Sequence, residues 1–187
     1  MENHNLDSYI LDKINTNVIK MLTNRGEDIT KLTRKTNHMY IKDRLYVRFI
    51  LSAKIKPNEI KQHLEKIIEK KLGLEQIILV IYKSPNNSIL KIIKPFKKEY
   101  DIQIFTKDEL IIDKINHHLV PKHILIQKQE IIDDILDKYQ IKSIHKLPFI
   151  LSNDPISKYY NAKKGNLFRI ERNSVTSGKY ITYRCVY

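Results

Sequence analysis

Three histidines within seven residues, His117, His118 and His123, with His145 further along, are the first side chains in this sequence that could do chemistry, because imidazole nitrogens are common zinc ligands. Their spacing argues against a metal site. On an extended segment adjacent residues point to opposite faces, and neither an acidic cluster nor a cysteine set stands nearby to complete a tetrahedral shell. The single cysteine, Cys185, has no partner for an intrachain disulfide or a thiolate metal site, which fits a reducing compartment. Asp133 and Asp134 read as the exposed side of an amphipathic helix. Four glycines, none clustered, build no phosphate loop, and no Ser-His-Asp or Cys-His set is convincing. The sequence assigns no catalytic residue, no metal and no cofactor.

Positive charge is the stronger chemical signal. The formal net charge is +13, shared as +7 over residues 1–114 and +6 over residues 115–187. Excess charge in both halves suits contact with nucleic acid through phosphate neutralisation, while lysine-rich usage of the AT-rich kind leaves many lysines simply solvated. The best stretch is Lys83 to Lys98. There Lys83, Lys91, Lys94, Lys97 and Lys98 flank a turn holding Pro85, Asn86, Asn87 and Ser88, and long cations beside small polar residues and free amides suit the phosphate backbone rather than base edges.

The elements that must position these residues follow from periodicity. Leu6, Ile10, Ile14, Val18, Met21 and Leu22 recur at helical spacing, and Gly26 falls where a left-handed cap would end the helix. A shorter helix is expected over 30–35. Residues 45–51 and 76–82 read as buried strands and 100–105 as a third. Between them, Pro57 opens a helix with the apolar stripe Ile60, Leu64, Ile67, Ile68 and Leu72, closed by Gly73, and 89–93 forms a short helix ahead of Pro95. The order is βαβαβ-like, with parallel pairing and right-handed crossovers. Composition changes near residue 115, which sets expected domains of 1–114 and 115–187. The second should hold an extended segment over 117–123, a strand over 124–127, a helix over 128–139 facing inward through Ile131, Ile132, Ile135, Leu136 and Tyr139, a helix start at Asp154-Pro155, and a terminal hairpin of 167–171 and 180–186. No run of about 18 apolar residues is present, so no membrane association is expected.

The second half also carries an ordered series of short patterns. His117-His118-Leu119-Val120-Pro121-Lys122-His123 is followed by Leu147-Pro148, by Asp154-Pro155-Ile156, by Gly165 and Arg172, and by a run from Ser174 to Arg184 with Thr176, Gly178, Tyr180 and Tyr183 at set positions. Each pattern alone is weak, and the ordered set is strong. In this order the residues resemble the C-terminal assembly domain of the fifth subunit shared by the nuclear RNA polymerases, a domain that the archaeal polymerase also has. Looser similarity through Met21 to Gly26 and Ile104 to Leu110 resembles the N-terminal jaw of the eukaryotic, two-domain form, which the archaeal form lacks.

The resemblance implies an α+β protein of two domains, a jaw with a restriction-endonuclease-like sheet and a small assembly domain ending in a β-hairpin. It implies a non-catalytic subunit of a DNA-directed RNA polymerase. Its partners would be the largest polymerase subunit, other polymerase subunits, and downstream double-stranded DNA touched through its backbone. Lys83, Asn86, Asn87, Ser88, Lys91, Lys94, Lys97 and Lys98 would lie near DNA. His117, Leu119, Val120, Pro121, His123, Leu147, Pro148, Asp154, Pro155, Gly165, Arg172, Ser174, Thr176, Gly178, Tyr180, Tyr183 and Arg184 would serve the polymerase-subunit contact. His118, Phe149 and Asn161 depart from the family pattern, where an acidic residue, a basic residue and a glycine are usual. The other readings are a free-standing DNA-binding protein and a nuclease, active or degenerate. Restriction endonucleases place Glu-x-Lys on a strand, whereas Glu69-Lys70-Lys71 falls on the expected helix. A short jaw with AT-rich residue usage points to a large DNA virus, with a divergent eukaryote as the alternative. The protein would act inside cells where transcription occurs, in a viral factory or virion in the first case and in the nucleus in the second.

Overall fold

The computed structural model describes residues 2–35, 38–41, 44–52, 55–70, 73–174 and 178–187, with residues 2–8, Lys70 and Ser174 described by backbone alone. It is α+β, and the chain divides into two compact units, Met1–Ile112 and Asp113–Tyr187.

The first unit runs α1 (Glu2–Asn24), β1 (Leu32–Lys35), β2 (His38–Ile41), β3 (Leu45–Ile50), α2 (Pro57–Lys70), β4 (Gln76–Ile81), α3 (Asn87–Ile93), β5 (Asp101–Thr106) and α4 (Lys107–Ile111). Its sheet has the order β1-β2-β3-β4-β5. The β3-β4 and β4-β5 pairs are parallel, as the βαβαβ reading requires. The sheet is nevertheless mixed, because β1-β2 and β2-β3 are antiparallel. The helix expected over 30–35 is absent. Asp28 caps a single 3-10 turn at Ile29–Lys31, and the chain then enters β1, since one apolar residue among four gives a helix no stripe to bury. Strand β2, not anticipated, is four residues long and alternates half-buried His38 and Tyr40 with buried Met39 and Ile41.

Both faces of the central strands are covered. Tyr46, Ile77, Leu79 and Ile102 pack with Ile60, Leu64 and Ile67 of α2 and Ile89 and Ile93 of α3. The opposite face, with Val47, Phe49, Ile78 and Val80, is equally buried and is left to α1, whose Ile14, Val18, Met21 and Leu22 are fully buried. Of the stripe expected along α2, Leu72 lies outside the described residues. Helix α1 ends as expected, with Gly26 at φ 82°. Its amide bonds the Thr23 carbonyl at 2.9 Å and the Glu27 amide bonds the Leu22 carbonyl at 3.0 Å, a Schellman cap. Helix α4 opens with a capping box between Thr106 and Glu109, a signal that the sequence carries and that the motif reading passed over.

The second unit holds β6 (Lys122–Ile126), α5 (Gln129–Lys138), β7 (Phe149–Ile150), α6 (Pro155–Tyr159), β8 (Leu167–Ser174) and β9 (Gly178–Val186). The sheet order is β6-β8-β9-β7, antiparallel except for the parallel β7-β9 pair. The hairpin strands are longer than expected, and their turn at 175–177 lies outside the described residues. Alternation splits the core in two. Leu167 and Cys185 face Ile132 of α5 and Leu147, while their neighbours Phe168 and Val186 face Ile150 and Ala162. The inward face of α5 is narrower than expected, for Ile131 and Tyr139 are 44% and 49% exposed.

Two further helices end in Schellman geometry without glycine. Asn161 closes α6 at φ 53°, the left-handed turn expected where a glycine is usual, and Gln140 closes α5 at φ 54°. Asparagine tolerates this region, whereas a long side chain is strained there. Gln140→Gly is therefore expected to stabilise the protein by about 0.5 to 1 kcal/mol, net of the entropy glycine adds to the unfolded chain. Urea unfolding of the full chain checks this, and an unchanged or lowered midpoint would count against the strain.

Candidate functional site

The residues expected near DNA lie on one exposed stretch of the first unit. Strand β4 delivers the chain to Lys83, Asn86 caps α3 by accepting from the Ile89 amide at 3.0 Å, and Asn87 and Ser88 form the first turn. Ile89 and Ile93 bury the inner face, which leaves Lys83, Asn86, Asn87, Ser88, Lys91, Lys94, Lys97 and Lys98 all exposed. The amides at this turn are not all free, because Asn86 already occupies one of them. None of the five lysines pairs with a carboxylate among the described residues. This cationic edge can meet a polyanion without first breaking an ion pair.

In the second unit the motif residues sort by burial. His117 to Pro121 is not extended. The Val120 amide bonds the His117 carbonyl at 2.8 Å, so the segment turns, and the rings of His117 and His118 meet with centroids 4.5 Å apart instead of pointing to opposite faces. Both are exposed, whereas His123 turns inward against the edge of Phe168. Its Nδ1 stands 2.7 Å from the Pro121 carbonyl oxygen, which selects the tautomer that donates from Nδ1. Among the described residues, no three His, Cys, Asp or Glu side chains gather as a metal site.

Leu147 is buried, and the Pro148 carbonyl accepts the Cys185 amide at 2.9 Å. Asp154 accepts the Ile156 amide at 2.8 Å, with Pro155 at the first helical position; losing such a cap costs about 1 kcal/mol. Gly165 turns at φ 87° and donates to the Val186 carbonyl. Tyr183 leans on Tyr139, and burial, then Tyr139, pushes its hydroxyl pKa up. Arg184 reaches the Phe149 carbonyl at 3.4 Å. These residues hold the fold. Those offered outward are His117, Leu119 at 75% exposure, Pro155, Arg172 and Tyr180. A cleft of about 590 Å³ brings Leu119, Val120 and Pro121 against Arg172 and Lys179 of the hairpin. Ser174 and Gly178 pair at the hairpin's end, and Thr176 lies outside the described residues.

Sequence reading missed an apolar patch at the other end of the hairpin. Parallel pairing of β7 with β9 brings Phe149 and Leu151 beside Tyr187, all about half exposed, with the Phe149 and Tyr187 rings 5.5 Å apart. Phe149 alone gave a signal, as an aromatic where the family pattern is basic.

This chain is 35% identical over 147 residues to the Dictyostelium discoideum protein named DNA-directed RNA polymerases I, II, and III subunit rpabc1, covering 77% of this chain and 73% of that one. The chain belongs to the family of this shared RNA polymerase subunit. The family description "RNA polymerase Rpb5, C-terminal domain" matches residues 112–186, nearly the whole second unit. The Rpb5 similarity also reaches the first unit, since the Dictyostelium match is far longer than the second. The Caenorhabditis elegans subunit RPABC1 is 31% identical over 77% of this chain and 66% of its own. Subunit 5B of Arabidopsis thaliana RNA polymerases IV and V is 30% identical over 59% and 49%.

Burial pushes the His123 pKa down, a shift that the Pro121 carbonyl and Asp154 oppose and that Arg172 and Arg184 reinforce. Folding thus favours neutral His123. The stability it contributes is complete above the unfolded value near 6.5 and is lost as pH falls through that value towards the folded one. Urea unfolding, followed by NMR at amides of the second unit, should show a midpoint that drops between pH 7.5 and 5.5, and His123→Gln should flatten the drop. Equal drops in both proteins would remove His123 as the cause.

Proposed function

We propose that this protein is a non-catalytic subunit of a multisubunit DNA-directed RNA polymerase. Its second unit anchors to the largest subunit, and its first unit forms a jaw along downstream duplex DNA. Similarity to shared polymerase subunits across both units carries the reading. The anchoring surfaces are the cleft between His117–Pro121 and the hairpin and, at the hairpin's other end, the patch of Phe149, Leu151 and Tyr187. The cleft sets Leu119, Val120 and Pro121 among charged residues that include Arg172, and the separate aromatic patch supplies apolar area of the kind protein contacts bury. The jaw meets DNA through Lys83 to Lys98 as phosphate contacts, which set position rather than sequence. The protein works wherever that polymerase transcribes, in a viral factory or virion if the source is viral and in the nucleus if it is cellular.

The jaw's likeness to a restriction-endonuclease sheet belongs to the same proposal, without its chemistry. Among the described strand residues of the five-stranded sheet, Asp101 is the only carboxylate, and Glu69 is an exposed residue of α2.

Purification through a tag on the full chain, followed by mass spectrometry, should recover the two large polymerase subunits. Arg172→Glu combined with Phe149→Asp should lose them while the chain stays folded. Recovery of the chain alone, or full recovery with the double variant, would overturn the anchoring assignment.

Replacing Lys91, Lys94, Lys97 and Lys98 with Gln should leave nucleotide addition intact and destabilise elongation complexes. The log-log salt slope of complex stability should flatten by up to about 0.9 for each phosphate no longer neutralised. An unchanged slope would take this segment off the DNA path.

A further inference from the structure

The antiparallel register of β2 with β3 sets His38 opposite Arg48 and Tyr40 opposite Tyr46, so all four share the sheet face covered by α2. At the edge of that packing lies a cavity of about 390 Å³, away from the Lys83 to Lys98 edge. Its basic side chains come from three elements: Lys35 of β1, Arg48 of β3, and His63 and Lys66 of α2. No carboxylate lines it among the described residues. Three of its walls are rings held nearly parallel by strand pairing. His38 and Tyr46 lie 5.3 Å apart at 17°, His38 and Tyr40 6.1 Å apart at 19°, and Tyr40 and Tyr46 6.4 Å apart at 13°.

Arg48 is the informative residue. It stands beside Tyr46, whose hydroxyl pKa burial raises and Arg48 draws back, and its Nε is buried without a hydrogen-bond partner among the described residues. Arg48 also lines the cavity, and an anion there is the natural partner of its charge. His63 reports the same field. Its pKa is lowered by burial, then by Arg48 and Lys66, with Glu59 opposing more weakly. Arg48 and His63 also line an adjoining cavity of about 600 Å³, which continues past the carboxyl ends of β3 and β4 to Tyr82 and Lys107. Ligands of parallel α/β sheets lie off those strand ends.

We propose that this cavity binds a nucleoside phosphate, the phosphate pairing with Arg48 between Lys35 and Lys66 and the planar base lying against the His38, Tyr40 and Tyr46 rings. Its volume suits a single nucleotide and excludes a duplex, whose bases are stacked out of reach of a concave aromatic wall. The nucleotide comes either from solution or from an unpaired stretch of a nucleic-acid strand.

The test is isothermal titration of the full chain at about 0.15 M salt, with ATP, with a ten-residue oligo(dT) and with inorganic phosphate as separate titrants. The His63 imidazole is followed by NMR in the same titrations. Either nucleotide probe should bind about tenfold or more tighter than inorganic phosphate, and its binding should raise the His63 pKa. Arg48→Gln should weaken that probe by about tenfold, the usual worth of a charged hydrogen bond. Lys66→Gln, at an exposed position that does not threaten folding, should weaken it several-fold, and Lys142→Gln, at an exposed position of the second unit, should leave it unchanged. Binding of ATP identifies free nucleotide as the source; binding of oligo(dT) alone identifies a strand. Equal affinity for inorganic phosphate, no binding of any probe, or oligo(dT) binding unaffected by Lys66→Gln would overturn the proposal. These outcomes are independent of whether the chain enters a polymerase.

Discussion

A strand with apolar side chains on both of its faces must be covered on both sides, and both units of this protein are built around that demand. In the first, β3 and β4 are buried almost throughout, so α1 is needed on one face and α2 with α3 on the other. In the second, β8 and β9 send Leu167 and Cys185 one way and Phe168 and Val186 the other, which requires α5 beneath and α6 above. Caps and turns then fall where the chain must reverse to supply those covers. The three Schellman endings at Gly26, Gln140 and Asn161 are such reversals.

Two-sided burial also decides where charge can go. With cores this apolar, the excess of lysine and arginine is pushed to rims and helix exteriors, and the Lys83 to Lys98 edge is one such rim. Its cations are solvated and adaptable, suited to a phosphate backbone whose exact position varies. Arg48 is different because it sits on a core strand. Strand pairing fixes it beside three aromatic rings, and α2 closes over part of it, so its guanidinium is constrained in a way that no surface lysine is.

Burial likewise divides the family pattern of the second unit into two jobs. Leu147, His123, Asp154 and Tyr183 recur in that pattern because they hold β6, α6 and the hairpin in place. Leu119, Arg172 and Tyr180 are left facing outward by that scaffold. A recognisable motif is therefore not the same thing as a contact surface.

The sequence by itself determined what depends on neighbours within a few residues: the Asp154-Pro155 helix start, the left-handed turns at Gly26 and Asn161, the buried strands around Val47 and Leu79, and the ordered motif that marks the family. Those signals are local because caps, positive φ and alternation are set by short-range sterics and hydrogen bonds. Where local preference was weak, tertiary pairing decided. Residues 32–35 became a strand because β2 was there to accept it, and 114–120 folded into turns that no periodicity announces. The contacts between residues far apart in the chain belong to the structure alone. Phe149 meets Tyr187 through the β7-β9 pairing, and His38 meets Arg48 and His63 through β2, β3 and α2, because strand register and helix crossover bring together what the linear sequence keeps apart.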